Sequence, residues 1–192
     1  DLTTRCEDAG IPIVMFNRGQ DDPRLSAVTS DNLAGGRLAA NFLVAGGHQR
    51  IAHVAGWQKS STGRDRARGF TEALADHGQS PVATVDGMYA ATETRRNTHA
   101  LFGQADRPDA VFVGNDHMAM TVMDVLRFEL GLRVPEDVSV VGYDDVPAAS
   151  APTYDLTTVR QPVRRMVDAT VTALLGRVEG DTKPGQVRIP GD

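Results

Sequence analysis

Apolar residues fall along this chain in two alternating patterns. The first is a compact block, found at residues 11–16 (IPIVMF), Ile51–Ala55, Ala110–Val113 and residues 138–141. Blocks this short and apolar suit strands buried on both faces of a parallel sheet. Shorter extended candidates lie at residues 26–29, 82–85, 156–159 and 187–189. The second pattern is a stripe at helical spacing. It runs through Leu38, Ala39, Phe42 and Leu43, through Phe70, Ala73 and Leu74, and through Met118, Ala119, Val122, Met123 and Leu126. The longest stripe joins Val163, Met166, Val167, Thr170, Val171, Leu174 and Leu175, and predicts a long buried face. A helix with a thinner apolar face is predicted over residues 92–102.

The punctuation agrees with these elements. Ser30 and Asp31 are good caps for the first stripe, and Gly46-Gly47, Gly78 and Gly131 close their helices. Pro162 stands where the last helix would take its first residue. Polar residues 19–24, with Pro23, read as a loop, as do residues 56–63. Strand and helix in alternation predict an α/β fold, with right-handed crossovers, doubly wound parallel sheets and helices on both faces.

One block organises the candidate chemistry. Residues 138–145 read VSVVGYDD: an apolar strand, then Gly142 to turn the backbone, then Asp144 and Asp145. In open α/β sheets, ligands sit beyond the carboxyl ends of the strands. The other central strands also release polar or aromatic groups there. Trp57 follows the first, with Arg64 and Arg66 one loop later; Tyr89 follows the second; Asn115 and Asp116 follow the third. Parallel strands would set these ends along one edge. Asp accepts, Asn donates and accepts, Arg offers a planar fork, and a flat aromatic, Trp57 or Tyr89, suits apolar C–H faces. Such a set fits a sugar-like ligand.

Plainer roles compete at each position. Asp116 at a helix start reads as a cap before it reads as a ligand contact, and Asp145 as a turn cap, which favours Asp144 for the pocket. Arg64 reads as a solvated loop charge, and Arg66 could instead pair with a carboxylate. His48 and His53 have no metal-ligand spacing and read as structural, as do Met118, Met120 and Met123 as core.

Composition narrows the function. The 192 residues carry a formal charge of −5, which argues against nucleic-acid binding by this chain alone. One cysteine, Cys6, excludes an internal disulfide and a Cys-based zinc site. No apolar run approaches a membrane span, so no membrane partner is expected, nor is a metal or other cofactor. The chain holds no G-x-S-x-G, no phosphate loop, no H-E-x-x-H and no G-x-G-x-x-G. An enzyme is not expected. The chain begins Asp1-Leu2-Thr3 without an initiator Met, which reads as a start inside a fold.

At these residues the sequence resembles the ligand-binding core of the LacI/GalR family of bacterial transcriptional regulators. The resemblance rests on Ser30-Asp31-Asn32 with Gly35-Gly36, Gly47-His48 with Arg50-Ile51-Ala52, and Arg66-Ala67-Arg68-Gly69-Phe70. AVFVGNDHMA at 110–119, VPEDVSVVGYDDV at 134–146 and LTTVRQP at 156–162 complete it. It implies a two-lobed, periplasmic-binding-protein-like fold. Residues 1–29 would be part of the N-terminal lobe, 30–157 the C-terminal lobe, and 158–192 the return helix and final strand. The rest of the N-terminal lobe, and a helix-turn-helix for operator DNA, would lie outside this chain.

The resemblance also implies an effector site. Arg66 would grip hydroxyls or a carboxylate, Asn115 would hydrogen-bond, Asp144 would accept from hydroxyls, and Tyr89 would stack. Gln161 would lie where the chain recrosses between lobes, with Trp57 and Asn17 as further contacts; Asn17 stands where the family often has Asp. A cytoplasmic homodimeric repressor is expected, sensing a sugar or sugar derivative between its lobes and changing its operator affinity allosterically. Two other classes stand beside it: a periplasmic sugar carrier of a transporter, and a sugar-processing α/β enzyme.

Overall fold

A computed structural model describes residues 2–19, 22, 24–181 and 183–192, and of Glu7 the backbone alone. The loop expected over 19–24 falls partly on residues outside this set. The chain forms two compact units. One comprises the residues up to Asp31 together with Pro162–Gly191, and the other comprises Asn32–Gln161 with Asp192.

The smaller unit contains α1 (Leu2–Asp8), β1 (Val14–Phe16) and β2 (Ser26–Ser30). From the far end of the chain come α6 (Val163–Val178) and β8 (Gln186–Ile189). Its three strands are parallel in the order β1-β2-β8. Of the block at residues 11–16, only Val14–Phe16 is strand.

In the larger unit, α2 (Asn32–Ala45), β3 (Ile51–Ala55), α3 (Ser61–Asp76), β4 (Ala83–Asp86), α4 (Ala91–Phe102) and β5 (Ala110–Val113) follow one another. Then come α5 (Asp116–Asp124), a π turn over Val125–Glu129, β6 (Ser139–Asp144) and β7 (Thr157–Arg160). The five strands are all parallel, in the order β4-β3-β5-β6-β7. Alternation along each strand divides the core. Val111 and Val113 of β5 face Met118, Val122 and Met123 of α5. Ala110 and Phe112 face Ala39, Leu43, Phe70 and Leu74 of α2 and α3. No helix among the described residues is long and apolar enough to cross a membrane.

Several local expectations need correction. On α2 the inward face is Gly35, Gly36, Ala39, Ala40 and Leu43, while Leu38 and Phe42 are 44% and 56% exposed. The helix turns its smallest residues inward because α3 lies so close. A Cβ at Gly36 would stand 2.2 Å from the Arg66 carbonyl oxygen. The predicted buried face of α6 is also mostly open. Met166 alone of that stripe is buried, against Val28 and Ile189, whereas Val163, Val167, Val171, Leu174 and Leu175 are 38–55% exposed. Within this chain α6 packs on the three-stranded sheet through Met166 and Ala169. Pro162 precedes this helix as its cap residue rather than opening it.

In the larger unit, α3 starts at Ser61, ahead of Gly63, because the Ser60 hydroxyl accepts from the Gly63 amide. Gly142 does not turn the chain. It lies inside β6, paired with Thr158, and the strand runs on to Asp144.

Candidate functional site

The parallel order brings the carboxyl ends of β4, β3, β5, β6 and β7 to one edge of the larger unit. Arg66 projects from α3, the helix after β3. Its side chain is only 4% exposed, and each of its three guanidinium nitrogens has a partner. Nε donates to Asn32 Oδ1 at 2.8 Å, one Nη to the Gly114 carbonyl at 2.6 Å, and the other Nη lies 3.1 Å from Asp144 Oδ1. The guanidinium also lies over the Tyr143 ring, 3.6 Å from its centroid. A buried cation needs partners of this kind. Arg66 therefore pairs with a carboxylate, and that carboxylate is Asp144.

Asp144 ends β6 with φ 120°, and Asp145 follows with φ 60°. Two successive L-residues in this region are uncommon and strained. The corner is held from several sides. Gln161 Nε2 donates to Asp144 Oδ1 at 2.6 Å, and the Gln161 amide approaches the Asp144 carbonyl at 3.4 Å. Arg160 Nε donates to Asp145 Oδ2 at 2.6 Å. Asp145 is thus tied to an exposed arginine, while Asp144, with a side chain 22% exposed, meets Arg66 and Gln161. Arg66, Asp144 and Gln161 form one bonded cluster.

The remaining predicted residues have separate surroundings. Asn115 caps α5 through its Oδ1, which accepts from the Met118 amide at 3.0 Å, so its Nδ2 is the group left to donate. Asp116, expected as that cap, is instead fully buried behind it. Its carboxylate accepts from the Thr158 hydroxyl at 2.5 Å and the Val146 amide at 2.9 Å. Burial pushes its pKa up, hydrogen bonds from the Thr158 hydroxyl and the Val146 and Asp145 amides oppose that shift, and neighbouring Asp144 adds to it. Tyr89 lies with its ring against the backbone of Gly56 at the end of β3, where a Cβ would stand 2.1 Å from Cζ, and its hydroxyl is 3.4 Å from Thr62 Oγ1. Trp57 stands just past β3, 36% exposed. Asn17 belongs to the smaller unit, with φ 62° and a buried Oδ1 that has no partner among the described residues.

Sequence reasoning missed three members of this constellation: Asn32, Tyr143 and Thr158. Asn32 was visible only as part of a motif. Tyr143 reads as an ordinary strand aromatic until Arg66 is laid over it. Thr158 carries no local signal, because its role depends on β7 lying beside β6. Among the described residues, no group of three metal-ligating side chains comes together. The arrangement offers donors and acceptors in fixed directions around a charge-paired centre, which suits reversible binding of a hydroxylated small molecule.

The model of the periplasmic binding protein-like domain family matches residues 40–191. The HTH-type transcriptional repressor PurR of Photobacterium profundum is 32% identical over 181 residues, 93% of this chain and 53% of that protein. A crystal structure of a LacI transcriptional regulator from a Rhodococcus species superposes with TM-score 0.90 at 35% identity, covering 99% of this chain and 69% of that one. The complex of the transcriptional regulator CelR with cellobiose superposes with TM-score 0.89 at 34% identity, covering 100% of this chain and 60% of that one. The chain spans about half the length of the curated relatives it matches.

Proposed function

This chain belongs to the periplasmic binding protein-like domain family, among the LacI-type transcriptional regulators, and from that premise we propose that it is the ligand-sensing part of such a regulator. The observation that carries the reading is the Arg66–Asp144–Gln161 cluster at the carboxyl edge of the five-stranded sheet. Its cation and anion already neutralise each other, so it offers hydrogen bonds and little net charge. The effector is a sugar or sugar-like molecule, a choice supported by the relative solved with cellobiose. Asp144 accepts from its hydroxyls, Arg66 fixes Asp144 and reaches the ligand from behind it, and Gln161 and Asn115 donate. Tyr89 and Trp57 supply flat faces. The protein does no chemistry on its ligand.

Ligand binding favours one conformation of the regulator and so shifts its population, which changes affinity for operator DNA. The DNA is read by a helix-turn-helix outside this chain, in a cytoplasmic homodimer that acts as a repressor. Support for the dimer comes from the dimeric lac repressor, 30% identical with TM-score 0.88. The matched relatives are regulators, which favours this reading over a transporter's sugar carrier. Calorimetric titration of the full-length protein with cellobiose and other neutral mono- and disaccharides tests it. One sugar should bind, and Asp144→Asn and Gln161→Ala should each weaken it by about tenfold or more. Unchanged binding in both variants would overturn the site, and no binding by any sugar would overturn the ligand class.

A further inference from the structure

Asp116 is the least expected group near the cluster. A carboxylate on the first turn of α5 would normally face solvent, and this one is fully buried. Its hydrogen bonds come from a hydroxyl and backbone amides, not from a cation. The neighbouring strand makes room for it. A Cβ at Gly142 would stand 2.4 Å from Asp116 Oδ1, so a side chain there would collide with this carboxylate. Three positions far apart in sequence, 116, 142 and 158, are therefore fitted to one another.

What they enclose is the corner that carries Asp144. On the near side, Gly142 pairs with Thr158 across β6 and β7, and Thr158 bonds Asp116 Oδ1. On the far side, the Val146 amide bonds Asp116 Oδ2. One oxygen thus holds Thr158 of β7, the strand partner of Gly142, the other holds the Val146 amide, and the Asp145 amide also donates to this carboxylate. Between these anchors lie Asp144 and Asp145, both at positive φ. That conformation turns the Asp144 carboxylate toward Arg66 and Gln161.

We propose that Asp116 is a positioning residue: through Thr158 and Val146 it sets the backbone corner that aims Asp144 at the ligand-binding cluster. What the aimed carboxylate is for rests on the function proposed above, but the positioning itself does not. An alanine in place of the aspartate accepts from neither flank. The corner is then free to relax, and Asp144 leaves Gln161.

The test is nuclear magnetic resonance on the full-length protein, reading the Gln161 side-chain amide, which needs no ligand. In Asp116→Ala and in Thr158→Val that amide should lose its bonded chemical shift and exchange with solvent roughly tenfold faster. Thr158→Ser, which restores the hydroxyl, should return both to the wild-type values. Gly131→Ala, at a φ of 64° past the π turn, is the control that lowers stability without touching the corner. If Asp116→Ala does not fold, Thr158→Val and Thr158→Ser decide the matter. A lower melting temperature with an unmoved Gln161 amide makes Asp116 a support for folding alone and overturns the proposal. Failure of every sugar to bind overturns the ligand reading and leaves this readout unaffected.

Discussion

The Arg66 guanidinium and the Asp144 carboxylate meet at 3.1 Å, on groups that lie 78 positions apart in the sequence, with side chains 4% and 22% exposed. The ion pair joins the helix after β3 to the end of β6 and removes most of the cation from water. Breaking a buried pair leaves an uncompensated charge behind. Arg66→Lys keeps a charge but loses the fork that reaches Asn32, Gly114 and Asp144 together. We expect a loss of about 3 kcal/mol in urea unfolding. A loss below about 0.5 kcal/mol would mean that a point charge suffices there.

Gly36 carries the contact of α2 with α3. The atoms a methyl group would meet are backbone, the Arg66 carbonyl oxygen at 2.2 Å and the Phe70 amide nitrogen at 2.9 Å, so no side chain can swing aside. Gly36→Ala should destabilise by about 2 kcal/mol or more, despite alanine's better helix propensity. Thermal unfolding decides the sign. A rise in melting temperature would show that the two helices can separate freely.

The inward face of α2 makes a paired test. Leu43 is 1% exposed and Phe42 is 56% exposed. Leu43→Ala should cost about 3 kcal/mol, whereas Phe42→Ala should cost under about 1 kcal/mol. Equal losses would restore the stripe that the apolar spacing alone suggests.

His53 lies in the middle of β3, stacked on Phe112 at 5.1 Å and tilted against Phe70 at 5.1 Å. Neither ring nitrogen has a hydrogen-bond partner among the described residues. Burial holds its pKa down to about 3, against an ordinary 6.5. Below pH 6.5 the unfolded chain takes up a proton that the folded chain refuses, so this group's contribution falls as pH falls toward 3. The slope approaches about 1.4 kcal/mol per pH unit. Asp116 works in the opposite sense, because its raised pKa lets the folded state protonate first as the pH drops. His53→Leu, close in volume, should flatten the acid side of the stability profile between pH 6.5 and 3. An unchanged profile would assign acid sensitivity elsewhere.

Gly142 and Thr158 should be energetically coupled, because both act on Asp116. Gly142→Ala alone should cost about 2 kcal/mol. In the double variant with Thr158→Val, the loss should fall short of the sum by about 0.5 kcal/mol or more. Strict additivity in a double-mutant cycle would separate the two sites.

Much of this was legible in the residues. Compact apolar blocks at 51–55 and 110–113 are strands because alternate side chains on each must find a hydrophobic layer on both faces. Their parallel order follows from the intervening helices. That the ends of β5 and β6 carry Asn115 and Asp144 to one edge then follows from parallelism alone. What stayed illegible depends on distance and not on pattern. Apolar spacing marks where a helix has a greasy side, but cannot tell whether a neighbour covers it, as Phe42 shows. Asn115 and Asp116 are adjacent, and either could cap. The choice was made by β7, which brings Thr158 to Asp116 and leaves the Met118 amide to Asn115.

By itself, then, the sequence determined the strand and helix alternation, the family likeness and the edge on which the polar groups gather, because these depend on local periodicity and short motifs. Tertiary structure alone decided that Arg66 is a buried partner of Asp144, that Gly142 is a gap for a carboxylate, and that two aspartates hold left-handed backbone. Each of these is settled by what lies within a few ångströms across strands and helices that the chain reaches only after tens of residues.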